Sequence, residues 1–284
     1  MEVYNYKQRV EKKLDSYLPI SGELADSMRY SAIDCGKRFR PILTYTIADI
    51  FKEDFSLFDS SAVAVELIHA YSLIHDDLPA MDDDDVRHSK PACHKKYTEA
   101  QAILTGDALQ ALAFEIISND IKLESNTRLN CIQLLTRASY DMALGQAIDM
   151  SISSKKVDLN ILENMHNMKT GSLLRCSVNL GGTIATKCNS KDQEILDSFA
   201  KLIGLAYQIQ DDVLELIVSE DVLGKKQNSD IEKNKTTYPS LMGLDKSKKM
   251  FNDYYDTAIT SIEELSVDGT KLINLTKQLQ SRGF

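Results

Sequence analysis

Apolar residues recur at helical spacing over segments 3–18, 22–34, 38–52, 57–77, 99–118, 125–152, 158–187, 191–219, 236–243, 246–265 and 270–281. Runs rich in Val, Ile and Thr between tight turns, the mark of strands, are hard to find. Several segments are apolar on more than one face, as in Ala62-Val63-Ala64-Val65-Glu66-Leu67-Ile68 and Ala108-Leu109-Gln110-Ala111-Leu112-Ala113-Phe114. Such helices need neighbours on every side, so the pattern predicts an all-α protein, residues 1–284 forming a single large bundle of long helices. Some helix starts carry their own signal: Ser190 followed by Gln193 fits a capping box, and Ser56 and Asp245 are placed to accept from first-turn amides.

Composition sharpens this picture. Only 12 Gly and 5 Pro punctuate 284 residues, and 43% of the chain is hydrophobic, enough for a sizeable core. A net charge of -9 excludes a general nucleic-acid binder. Cys35, Cys93, Cys131, Cys176 and Cys188 include no Cys-x-x-Cys pair, which fits neither a disulfide framework nor a paired-thiol zinc site and points to a reducing compartment. Residues 1–7 lack a basic-then-apolar leader, and no uninterrupted apolar stretch approaches a membrane span, so the expected location is cytoplasmic. Without a Walker loop or a Gly-x-Gly-x-x-Gly fingerprint, nucleotide binding has little support.

Two acidic clusters are the candidate chemistry. Asp211 and Glu215, four residues apart, lie about 40° from each other on a helix, and Asp212 flanks them. Carboxylates so placed repel unless a cation offsets them, and oxygen-only ligands favour magnesium. In Asp76-Asp77-Leu78-Pro79-Ala80-Met81-Asp82, a straight helix would set Asp82 roughly 120° from Asp76. Pro79 must kink or loosen that helix, which can return Asp82 toward Asp76. Asp83, Asp84 and Asp85 read as solvated loop charges. The loops 83–98 and 220–235 follow directly on the two clusters, which places both at one mouth of the bundle. Cys93-His94 near His88 lacks a fourth ligand at zinc spacing, and His75 suits packing or hydrogen bonding as well as catalysis.

Acid clusters with metal suggest phosphate chemistry, and basic partners are present in Lys37-Arg38-Phe39-Arg40-Pro41, Arg87, Lys169 and Lys225. With Gly36-Lys37-Arg38-Phe39-Arg40-Pro41, the stretch from His69 to Asp82, Gly106-Asp107-Ala108-Leu109, Lys169-Thr170-Gly171, Tyr207-Gln208-Ile209-Gln210-Asp211-Asp212 and Gly224-Lys225 in this order, the chain resembles the polyprenyl synthetase family from about Gly36 to Pro239.

The resemblance implies an isoprenoid-synthase bundle around a central cavity and a homodimer of such subunits. It also implies a prenyltransferase acting on small isoprenoid diphosphates, with three magnesium ions. Asp76, Asp77 and Asp82 would hold two ions and Asp211 a third. Arg87, Lys169 and Lys225 would neutralise the allylic diphosphate, while Lys37, Arg40 and His69 would hold isopentenyl diphosphate. Thr170 and Gln208 match positions whose oxygen dipoles face the nascent cation.

Two positions depart from the family pattern. His88 stands where a second Arg is usual, removing a bidentate donor from the homoallylic site. Glu215 stands where the second motif usually ends in Asp, and its longer side chain puts its role as a ligand in doubt. Tyr71, five residues before Asp76, lies roughly 7.5 Å along a helix from the metal site. There it can floor a hydrocarbon cavity, and the resemblance implies that Tyr71 and Ser72 limit the product to fifteen carbons. Geranyl or geranylgeranyl products, a terpene cyclase and an inert subunit of a heteromeric synthase are the rival readings. The Lys37 and Arg40 motif disfavours the cyclase.

Overall fold

The computed structural model describes residues 2–153, 155–217 and 235–282. Gly224 and Lys225 lie outside them. In chain order the helices are α1 (Glu2–Tyr17), α2 (Glu23–Ala32), α3 (Phe39–Ile50), α4 (Asp59–Asp76), α5 (Cys93–Lys96), α6 (Glu99–Ser118), α7 (Ser125–Ile152), α8 (Leu159–His166), α9 (Ser172–Ile184), α10 (Ser190–Ile217), α11 (Tyr238–Met242), α12 (Leu244–Ile262) and α13 (Thr270–Gln280). Among the described residues the fold is all-α apart from one two-stranded hairpin, β1 (Val86–Arg87) and β2 (Lys90–Pro91).

Helix α4 runs through the core because nearly every one of its faces is apolar: Ala62, Val63, Ala64, Val65, Leu67 and Ile68 are fully buried. Each large buried side chain of this kind contributes roughly 1.5–3 kcal/mol. Helix α6 packs along α4, α3 and α7 against α9, and α10 against α12. The α4–α6 approach depends on Gly106, where a Cβ would lie 2.2 Å from His75 Nε2. By length and composition α6 is apolar enough to cross a membrane. Its apolar run is interrupted, by Asp107 and Glu115 among others, but its mean hydropathy stays high.

Buried charges tie the helices in register. Asp59, at the start of α4, accepts from Arg9 Nε at 2.6 Å, Lys13 Nζ at 2.8 Å and Tyr45 Oη at 2.7 Å, joining α1 and α3. Arg38 has a left-handed backbone, φ 56°, and its guanidinium reaches Glu11 at 2.7 Å and Glu66 at 2.8 Å. That cation is part of the scaffold.

Four local expectations are corrected. Helix α10 is capped one residue early, by Asn189 Oδ1 accepting from the Asp192 amide at 3.0 Å, while Asp192 accepts in return from the Asn189 amide at 3.4 Å. Ser56 donates its amide to Asp54 at 2.9 Å, and α12 starts at Gly243 with no side-chain cap. The segment 158–187 is two helices joined by a π-helical turn, Asn167–Gly171. Gly145 on α7 permits that turn, since a Cβ there would lie 2.2 Å from the Lys169 amide nitrogen. Such turns insert one residue into a helix and are frequent at functional sites.

Candidate active site

Pro79 ends α4 where the sequence suggested a kink. The last helical residue is Asp76, and the chain turns back so that the Asp82 amide donates to the Asp76 carbonyl at 2.9 Å. The Met81 and Asp83 amides both reach the Leu78 carbonyl, at 2.8 and 3.2 Å. Asp76 and Asp82 thereby come together, as the sequence argument required.

Both line a hollow of about 230 Å³. Asp84 joins them from the same loop, Asp149 comes from α7, and Asp212 faces them from α10. Arg87, Lys169 and Lys235 supply positive charge among these carboxylates, and Thr170 and Gln208 line the same space. Lys169 Nζ lies 2.6 Å from Asp149 Oδ2; Lys235 Nζ lies 3.4 Å from that oxygen and 3.6 Å from Asp82 Oδ1. A second cavity of about 330 Å³ begins at Asp76, Lys169 and Thr170 and continues between α4 and α7, past Met142, Ala147 and Met150. Tyr71 and Ser72 line it. Tyr71 is 8% exposed, its hydroxyl is 3.5 Å from Ser139 Oγ, and its ring stands edge-on to His75. A polar mouth therefore opens onto an apolar shaft.

Burial sets the electrostatics. It pushes the Asp76 carboxyl up to about 6; Lys169 opposes the rise, and Asp82 and Asp77 add to it. Burial would also raise Asp149, but Lys169 and Lys235 hold it below the usual carboxylate range. His166, 3.9 Å from Asp212, is pushed down to about 3 by desolvation, so it is a neutral imidazole near neutral pH. Burial drives His69 well below its ordinary value, with Arg40 and His88 acting in the same direction.

The structure sorts the expected site residues. Asp76, Asp82, Arg87, Lys169, Thr170 and Gln208 meet at the hollow. Arg40 and His69 line the shaft with Asp76, and Arg40 Nε is buried with no hydrogen-bond partner among the described residues. Lys37 is exposed. Asp77 is turned away: only 2% exposed, it accepts from Arg87 Nε at 3.0 Å and also pairs with Arg87 Nη2. Asp211 does not line the hollow either; it pairs with Arg282, whose guanidinium stacks 4.3 Å over Tyr207. Both displacements have one cause, because adjacent helical residues point about 100° apart. Glu215 is 3% exposed and lies off the hollow. His88 sits at the tip of the hairpin with Ser89, both at positive φ (52° and 60°), the backbone of a two-residue turn. Asp84 and Asp85 are more than solvated charges: Asp84 lies 3.3 Å from Arg87 and Asp85 2.8 Å from Lys95.

Asp149, Lys235 and His166 were missed. Asp149 had a signal, since Gly145, Gln146 and Asp149 form one small-and-polar patch on an otherwise apolar helical stretch. Lys235 was hidden in the run Lys233-Asn234-Lys235, which reads as a solvated loop.

Comparison with known proteins agrees with this geometry. The polyprenyl synthetase profile matches residues 21–267, beyond both ends of the motif region. The chain is 44% identical over 247 residues to the farnesyl diphosphate synthase of Escherichia coli (strain K12), spanning 86% of this chain and 83% of that one. An FPP/GFPP synthase from Zymomonas mobilis superposes with a TM-score of 0.87 at 34% identity, covering 99% and 98% of the two chains. A Helicobacter pylori geranyltransferase, solved with magnesium and isoprenyl diphosphate, gives a TM-score of 0.87 at 28% identity over 98% and 94%. With its profile match spanning most of the sequence and its carboxylates gathered over an apolar shaft, the chain belongs to the polyprenyl synthetase family.

Proposed function

We propose that this chain is a farnesyl diphosphate synthase, joining isopentenyl diphosphate head to tail to dimethylallyl and then geranyl diphosphate. The observation that carries the reading is continuity: the carboxylate-and-cation hollow opens directly into an apolar shaft that Tyr71 lines one and a half turns below Asp76. One part suits a diphosphate, the other its hydrocarbon tail.

The donor set of the hollow, carboxylate oxygens at Asp76, Asp82, Asp84 and Asp212, fits magnesium. Magnesium held by these carboxylates would neutralise the leaving diphosphate and withdraw electron density from it. We assign two of three ions to the Asp76–Asp82 wall and the third to the α10 wall. Asp212, which lines the hollow, would hold that ion, and Asp211 would join only by exchanging Arg282 for it. Asp77 contributes through Arg87, holding its guanidinium at the rim.

Lys169 is held at the mouth by Asp149, which also anchors Lys235. Preorganised cations of this kind stabilise the charge that develops as the allylic carbon–oxygen bond breaks. Thr170 and Gln208 turn oxygen dipoles toward the allylic cation, and the shaft keeps water from it. Arg40, His69 and Lys37 place isopentenyl diphosphate so that its double bond attacks the cation, and Lys225 joins Arg87 and Lys169 on the allylic diphosphate. The new carbon–carbon bond forms, and a proton leaves to the departing pyrophosphate. No protein nucleophile is required.

A homodimer is the second element of the proposal. Its support is the outer face of α6, where Ile103 is 45% and Leu104 54% exposed on a helix apolar enough for burial all round. A cytoplasmic setting fits the five thiols.

The test is product analysis of the purified chain with magnesium, dimethylallyl diphosphate and isopentenyl diphosphate, followed by dephosphorylation and chromatography. Farnesol is the expected main product. Geranylgeraniol would move the stop below Tyr71, and no product at saturating substrate would leave an inert subunit.

A further inference from the structure

The run Asp82–Asp85 is divided between two sides of its loop. Asp82 and Asp84 line the hollow. Asp83 and Asp85 are exposed and instead approach His94 on α5, each of the three offering a ligand atom within 4.8 Å of the others. Alternate residues of a non-helical segment point to opposite sides, and the Ala92 amide donating to the Asp85 carbonyl at 2.8 Å pins this loop against the start of α5.

His94 is the independent sign of a ligand. It is 7% exposed, yet neither Nδ1 nor Nε2 has a hydrogen-bond partner among the described residues. A buried polar group left unpaired costs on the order of 1–3 kcal/mol, so such groups normally have an occupation. The facing groups are two carboxylates that solvent can reach.

We propose that Asp83, Asp85 and His94 form a second divalent-cation site, separate from the hollow and built for a first-row transition ion such as Zn2+. The imidazole sets the selectivity: magnesium prefers oxygen and water, whereas nitrogen combined with carboxylate suits zinc and its neighbours. Its competitor is internal, since Lys95 Nζ lies 2.8 Å from Asp85 Oδ1 and must yield that oxygen. Occupation ties the loop carrying Asp82 and Arg87 to α5, so the site braces one wall of the hollow from behind.

The experiment is calorimetric titration of Zn2+ into the full chain in excess Mg2+, with zinc-edge X-ray absorption on the product. The wild type should take up one Zn2+ with a single imidazole, oxygen donors and no sulfur. The double variant Asp83→Asn, Asp85→Asn changes only exposed groups and should bind about 10-fold or more weakly. His94→Gln should abolish the uptake, while Asp82→Asn should leave it in place. Since His94 is buried, its variant counts only with an unchanged circular dichroism spectrum, and the exposed pair carries the decision otherwise. Wild-type affinity in the double variant, sulfur ligation through Cys93, or no Zn2+ uptake under Mg2+ would each overturn the assignment.

Discussion

The two aspartate motifs use the same residue type in opposite ways. At the first, α4 stops at Asp76 and the chain folds back on itself, so two carboxylates six residues apart meet over the hollow. At the second, α10 continues unbroken, and its carboxylates are fixed by the protein itself. Asp211 pairs with Arg282, Asp212 accepts from the Tyr238 amide at 3.0 Å, and Glu215 is buried. The first motif faces an open hollow that Arg87, Lys169 and Lys235 share with it; the second is knitted into the fold through Arg282 and the Tyr238 amide. The space beneath differs too. Below Asp76 runs the shaft, whereas below Asp211 the positions Ala206, Ile209 and Gln210 are fully buried.

The largest effect should come from Asp82→Asn, expected to lower turnover by about 10²–10³-fold while substrate binding by Arg40 and His69 persists. Asp76→Asn should do the same to turnover and also stabilise the metal-free protein by on the order of 2 kcal/mol, because burial has raised that carboxyl to about 6. A destabilised Asp76→Asn variant in thermal denaturation would end the contrast. Tyr71→Ala should shift the product to twenty carbons or more, read by chromatography, and an unchanged product would remove Tyr71 as the floor.

The pH dependence separates the motifs further. A carboxyl whose folded pKa is raised favours the fold when protonated, so this contribution is full below about pH 4 and lost as pH rises through about 6. Metal binding has the reverse dependence: the proton competes for the same oxygens, and the Mg2+ concentration for half-maximal rate should climb as pH falls below about 6. The smallest change is expected at the second motif. There Asp212→Ala should cost about 1 kcal/mol in chemical denaturation by uncapping the Tyr238 amide, the opposite sign to Asp76→Asn.

Helix-period patterning gave the bundle and most helix bounds, because side-chain burial and spacing are coupled along a helix. It could not separate Asp76 from Asp77, or Asp211 from Asp212, since which of two adjacent carboxylates faces a cavity depends on where the helix is rotated and where it stops. Pro79 signalled a break without saying whether the helix bends or ends. The hairpin was illegible for another reason: His88 and Ser89 take positive φ without the Asn-Gly signature of such turns. The π turn is likewise set by tertiary approach, through Gly145 on a different helix. Lysines 169 and 235 share Asp149 Oδ2, a contact no local pattern encodes.

The central claim is that the hollow binds a diphosphate through divalent ions on the Asp76–Asp82 wall. Calorimetry with a non-ionisable thiolodiphosphate analogue of dimethylallyl diphosphate, with Mg2+ and again with chelator, tests it without turnover. The account predicts tight binding that needs Mg2+ and collapses in the Asp76→Asn, Asp82→Asn double variant. Equal affinity with chelator, or in that variant, would contradict it.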